Sequence, residues 1–124
     1  MSDRELLELA AKAESQPGGW IENEYEGWGF WQKPGGGEWN PLTDDGDALR
    51  LAVKLRLGIE FNEASVVASW VDGGYESKEI YGYPDQTQDD DFNIVYTNHD
   101  KAARRAIVRA AAEIGLQMQE GGAA

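Results

Sequence analysis

A chain of 124 residues with 23 acidic and 11 basic side chains, net −12, is one domain in size and strongly negative. That field repels nucleic-acid phosphates and anionic membrane surfaces, and leaves cationic protein surfaces, metal ions or plain solubility as its counterparts. With no cysteine, the chain has no disulfide, thiolate zinc site or cysteine nucleophile.

An apolar content of 41% with five tryptophans argues for a folded core. Cysteine-free composition suits a reducing cytosol. No apolar run approaches the length of a membrane span. The opening MSDRELLELA is acidic and helix-like, with no basic segment leading into an apolar stretch, so a secretory leader is not expected and a cytoplasmic location is.

In chain order, a first helix is predicted from Ser2 to Glu14. Ser2 and Glu5 have capping-box spacing, Leu6, Leu9, Ala10 and Ala13 form one stripe, and Pro17-Gly18-Gly19 end it. Strands are predicted near Gly19–Glu22 and Gly27–Gln32, closed by the turn Pro34-Gly35-Gly36-Gly37; Trp28 and Phe30 share one face and Trp31 takes the other. Asn40-Pro41 disfavours helix, and a second helix starts near Thr43, with Thr43 or Asp44 as N-cap and Asp45 and Asp47 in the dipole-favoured first turn. Ala48, Leu51, Ala52 and Leu55 form its buried stripe, widened by Leu49 and Val53, and Gly58 is its stop.

Ile59–Phe61 and Ser65–Val71 read as strands. The second has Val66, Ala68 and Trp70 on one face and Val67 and Val71 on the other, the pattern of a central strand covered on both sides. Asp72-Gly73-Gly74 reads as a hairpin turn into a partner strand Tyr75–Tyr83. Pro84–Asp91, PDQTQDDD, reads as an acidic loop and Phe92–Thr97 as a short strand or a return to the core. A last helix is predicted from Asp100 to Ile114, ended by Gly115, with Ala103, Ile107, Ala110 or Ala111, and Ile114 inward. The tail after Met118 is expected to fray, giving one domain over 1–118 and a disordered 119–124.

Helices interleaved with mainly antiparallel strands imply an α+β domain. The expected arrangement is a three-layer α/β/α sandwich, with helices on both faces of one small sheet. Three blocks, RELLELAAK (Arg4–Lys12), NPLTDDGDALRLAVKL (Asn40–Leu55) and RRAIVRAAAEIG (Arg104–Gly115), together resemble the phage and prophage "ABA sandwich" domain group, in that group's order. The resemblance implies a phage or prophage origin, hence the cytoplasm of a bacterial host, and a layered fold. It implies no activity, because the group has no catalytic motif to carry over.

Chemistry is sparse. His99 is the sole histidine, in Asn98-His99-Asp100 at a helix start, and reads as an exposed helix-entry residue; a histidine-based metal site has no motif to build on. Carboxylates cluster at Glu22/Glu24/Glu26, Asp44/Asp45/Asp47 and Asp85/Asp89/Asp90/Asp91. The Asp44–Asp47 cluster lacks the ligand spacing of a calcium loop and reads as helix capping. The loop cluster reads as solvated or as a weak site for a hard cation. Lys101, Arg104, Arg105 and Arg109 make a basic strip that faces an acidic partner or the chain's own carboxylates. One or two of Trp20, Trp28, Trp31 and Trp39 are expected at the surface, where aromatics anchor interfaces.

The leading expectation is a non-enzymatic phage accessory protein, without cofactor or metal, that binds a host or phage protein. Its acidic skin would occupy a basic nucleic-acid channel, as small phage inhibitors of host defence (anti-CRISPR proteins among them) do. The expected contacts are Asp44, Asp45, Asp47, Asp85, Asp89, Asp90 and Asp91, with Trp28 and Trp31. The alternatives are a virion or assembly protein that self-associates through its aromatics, and a small hydrolase using two carboxylates.

Overall fold

The computed structural model describes residues 1–72 and 76–121. These residues form an α+β fold with three helices and three small antiparallel sheets. A single sheet was the expectation. The strands instead pair only with their chain neighbours, because each connection is a short local turn or is interrupted by a helix.

Helix α1 (Asp3–Glu14) starts on the predicted cap: the Ser2 hydroxyl accepts from the Glu5 amide at 3.2 Å. It ends before Pro17. Ser15 turns left-handed at φ 57°, and the amides of Ser15 and Gln16 donate to the carbonyls of Lys12 and Ala11. Its buried face is Leu6, Leu7, Ala10 and Ala11. Leu9 and Ala13, predicted inward, are half-buried. Periodicity alone tolerates this rotation; tertiary contact with the last helix fixes it.

Strands β1 (Gly19–Asn23) and β2 (Trp28–Gln32) form the predicted hairpin, with Trp20 opposite Trp31. The turn at 34–37 leads into β3 (Glu38–Trp39), a third strand too short to see in the sequence; its Trp39 pairs with Trp31 and is buried. Gly35, Gly36 and Gly37 all have positive φ, which explains the glycine run. Helix α2 (Asp45–Lys54) is capped by Asp44. It stops four residues before Gly58: Arg56 takes the left-handed position at φ 56° and the Leu57 amide donates to the Ala52 carbonyl at 2.9 Å. Gly58 belongs instead to β4 (Gly58–Phe61), where a Cβ would sit 2.8 Å from Ser69 Oγ on the neighbouring strand. Leu49 and Val53, predicted to widen the buried stripe of α2, are exposed at 64% and 67%.

Strand β5 (Val66–Val71) is central between β4 and β6 (Ser77–Gly82). Val66, Ala68 and Trp70 face the core as the alternation predicts; on the other face Val67 is buried but Val71 is exposed. Of the predicted hairpin turn and partner strand, Gly73, Gly74 and Tyr75 lie outside the described residues. The predicted acidic loop is a strand pair: β7 (Asp85–Gln88) runs antiparallel to β8 (Ile94–Thr97), with Gln88 opposite Ile94. Its all-polar sequence carries no strand signal, since nothing in the core requires one of its faces to be apolar.

Helix α3 (His99–Gly121) runs through Gly115, the predicted stop, and through residues 119–121, the start of the predicted disordered tail; 122–124 lie outside the described residues. A Cβ at Gly115 would come 2.1 Å from the Leu9 carbonyl oxygen, so this glycine permits close approach to α1 rather than ending α3. One side of α3 (Ile107, Val108, Ala111, Ala112) packs with α1, α2 and Trp39. The other (Ala102, Ala103, Ala106, Ala110) packs on β5 through Val66, Ala68 and Trp70. Burial on two sides explains why alanine replaces a single apolar stripe: a helix held between neighbours has no room for larger residues. Among the described residues no helix is long and apolar enough to cross a membrane.

Candidate functional site

The β7–β8 ribbon stands clear of the core, with seven of its eight strand residues exposed. A tight loop closes it. The Phe92 amide donates to the Asp89 carbonyl at 3.1 Å and the Asp89 amide to the Asn93 carbonyl at 3.0 Å. The Asp89 carboxylate organises the turn, accepting from the amides of Asp91 and Asn93, both at 2.9 Å, and from the Asn93 side chain at 3.1 Å. These donors, the Asn93 amide first, hold the Asp89 carboxyl below the usual aspartate range.

Such loops place glycine or asparagine in the left-handed position. Here Phe92 occupies it at φ 66°, with 80% of its surface exposed. A bulky side chain there is strained, by about 1–2 kcal/mol. The side chains of Asp90 and Asp91 beside it make no hydrogen bond or ion pair with the described residues. At the base of the ribbon, Asp85 accepts from Asn98 Nδ2 at 2.8 Å and lies 3.8 Å from Lys101 Nζ. Of the four predicted acidic loop residues, Asp85 and Asp89 therefore hold the ribbon, while Asp90 and Asp91 are free for contact.

The other predicted cluster is engaged within the fold. Asp44 caps α2, accepting from the Asp47 amide at 3.0 Å, and that bond lowers its pKa. Asp45 pairs with Arg104 at 2.6 Å. Asp47 is 3% exposed; it accepts from the Asn40 amide at 2.9 Å and pairs with Arg50 at 2.7 Å and Lys33 at 3.8 Å. These three serve the junction of α2 with its neighbours. Asp45 and the ribbon's Asp85 are both tied to α3, Asp45 through Arg104 and Asp85 through Lys101.

The two aromatic candidates separate in the same way. Trp28 is 43% exposed, stacks on Phe30 at 5.7 Å and donates to Glu26 at 2.6 Å. Trp31 is half-buried, edge-on to Trp39, and donates to the Pro17 carbonyl at 3.1 Å. The sequence reading missed Tyr25, fully exposed at the β1–β2 tip between Glu24 and Glu26. The Asn23 side chain, accepting from the amides of Tyr25 and Glu26, sets that tip; an asparagine before a charged, glycine-ended turn was the available signal.

The basic strip is mostly answered from within. Arg104 meets Asp45 and Asp100, Arg105 meets Asp3, and Lys101 meets Asp85, while Arg109 donates to the Tyr81 carbonyl. His99 is half-buried and its Nε2 donates to the Glu63 carbonyl at 2.8 Å. Among the described residues no group of three or more carboxylates and histidines is placed to hold a metal ion. Glu14 and Asp47 line one cavity of about 580 Å³ with Lys33, Trp39, Arg50 and Lys54. Glu14 is 6% exposed, and burial, the largest influence on it, pushes its carboxyl upward.

Compared with known proteins, the chain matches no family model, no curated protein and no solved structure.

Proposed function

We propose that this chain works by contact with another protein, through the β7–β8 ribbon, and is not an enzyme. The observation that carries this reading is the ribbon tip. An aromatic side chain is held outward in a strained backbone position, beside two carboxylates that take no part in the fold. Strain retained on an exposed apolar residue has no counterpart in packing, and such residues concentrate at functional surfaces. The chemistry that fits this tip is an apolar socket rimmed by lysine or arginine.

With a net charge of −12 behind it, the tip would approach a basic nucleic-acid-binding surface and compete there with phosphate. Inhibition of a host defence system by a phage or prophage accessory protein, in the cytoplasm of its bacterial host, belongs to the same proposal. The three-layer helix–sheet–helix order belongs to the proposal too, whereas the packing itself sets α3 between the β4–β6 sheet and the α1/α2 pair. The test is capture of partners from a bacterial lysate on the immobilised protein, challenged with duplex DNA. Competition predicts release by DNA and no capture by the chain carrying Asp90→Asn, Asp91→Asn and Phe92→Gly. Retention of the same partners by that variant refutes the ribbon reading, and indifference to DNA refutes mimicry.

One observation favours the hydrolase alternative: Glu14 and Asp47 share a cavity, and Glu14 has a raised pKa. Both Asp47 oxygens are already engaged, by Arg50 and Lys33 on one and by the Asn40 amide on the other. Neither is free to attack or to activate water, so the pair is better read as structural. The assembly alternative rests on exposed Tyr25, Phe61 and Phe92, and predicts self-association at high concentration.

A further inference from the structure

Far from the acidic ribbon in sequence, a cavity of about 650 Å³ lies where the end of α2, the end of β5 and the last third of α3 meet. Leu55, Val71, Ile114 and Met118 give it apolar walls. Two residues of its lining, Trp70 and Arg56, carry polar groups with no partner within the described residues. Trp70 Nε1 is a buried donor with no acceptor, on a side chain 8% exposed. Buried donors are almost always satisfied, and an orphan is destabilising. Arg56 is the second: it is exposed, and its guanidinium makes no hydrogen bond or ion pair with the described residues. Its backbone sits at φ 56°, where glycine or asparagine would be the unstrained choice. Asp72 also lines the cavity but is accounted for, lying 3.9 Å from Lys78 and accepting from the Glu76 amide.

We propose that this cavity binds a small amphipathic carboxylate, its apolar body against Leu55, Val71, Ile114 and Met118 and its head group taken by Arg56 and Trp70 Nε1. The pairing follows from chemistry. A carboxylate has two acceptor oxygens, one for the guanidinium and one for the indole N–H, and an anion is the natural partner of an unanswered cation. The volume falls in the range of small-molecule sites, and apolar walls with two convergent polar groups are their usual make-up. Met118, 44% exposed and unbranched, is the wall best able to move and admit the head group to the buried indole nitrogen. The site is independent of the ribbon, so it stands or falls apart from the partner-binding reading.

The test titrates octanoate into the isotopically labelled protein, with octanol as the uncharged control, and follows the indole N–H resonances. The Trp70 signal is the one that disappears in Trp70→Phe. Octanoate should shift that signal saturably. Octanol and the variant Arg56→Gln should each bind at least about tenfold more weakly, the scale of one charge-assisted hydrogen bond. Arg56→Gly, which suits the left-handed backbone and keeps the fold, should show the same loss. An unmoved Trp70 resonance at millimolar octanoate overturns the proposal, and so does equal binding of octanol or undiminished binding by both Arg56 variants.

Discussion

Replacing Gly115 by alanine tests the packing on which the whole fold depends. In an ordinary exposed helix this exchange stabilises by about 1 kcal/mol, since alanine is the better helix former. Here the added Cβ would fall 2.1 Å from the Leu9 carbonyl oxygen and 2.9 Å from its carbon. Carbon and oxygen in contact stand more than about 3 Å apart, so the two helices must separate by roughly 1 Å or tilt. The obstructing atoms are backbone and cannot swing aside as a side chain would. Overpacking of this kind costs about 1–3 kcal/mol, and the absence of any rotamer escape puts it at the upper end. After the propensity gain, a net loss of about 2 kcal/mol remains, on the order of 5–10 °C in Tm for a chain of this size. Urea and thermal unfolding of the variant measure it directly. Gly46→Ala is the control: near the start of α2 the atoms nearest its Cβ would be side-chain atoms of Asp44 and Arg50, at 3.1 and 3.2 Å. It should be neutral or mildly stabilising. If Gly115→Ala behaves like Gly46→Ala, α1 and α3 do not approach as described and the account of α3 as the central helix is wrong.

Asp47→Ala strips the Asn40 amide, Arg50 and Lys33 of a common buried partner, and should cost about 2–4 kcal/mol in denaturant unfolding. Leu51→Ala, at a site with no exposed surface, should lose about 2–5 kcal/mol, whereas exposed Leu49→Ala on the same helix should change stability by under about 0.5 kcal/mol. Glu14 has a folded pKa above its unfolded value of about 4.3, so it opposes folding increasingly as pH rises from there through the folded value. Glu14→Gln should therefore stabilise at neutral pH, with the advantage vanishing below about pH 4 in a pH series of melts. Asp44, Asp89 and Asp100 run the other way. Their folded pKa values lie below about 3.9, so their contribution is complete above that pH and disappears as pH falls through the folded values. Asp89→Asn should accordingly reduce the loss of stability in acid.

Local signals in the sequence predicted local structure well. Ser2, Asp44 and the glycine run at 35–37 each act through one or two neighbouring residues, and each does in the fold what its chemistry dictates. Termination was harder to read. Ser15 and Arg56 take left-handed caps that glycine normally supplies, while Gly58 and Gly115 serve close approach between elements, a contact no short window of sequence contains. The ribbon was illegible for a different reason: a two-stranded arm outside the core need not alternate apolar and polar residues, so Asp85–Gln88 looks like loop. The same absence of packing left Phe92, the residue proposed here to make contact, looking like a return to the core. Among the acidic candidates, sequence could group Asp44, Asp45 and Asp47 but could not show that Arg104 and Lys33 reach Asp45 and Asp47 from other elements.

The central claim is that two unpartnered carboxylates and a strained, outward phenylalanine form a contact surface for a cationic protein. The most direct measurement is the affinity of the captured partner for the wild-type chain and for Asp90→Asn with Asp91→Asn, followed across ionic strength. The account predicts a steep fall in wild-type affinity with salt and a weaker, flatter dependence for the doubly neutralised chain. Superimposable curves for the two proteins would contradict it.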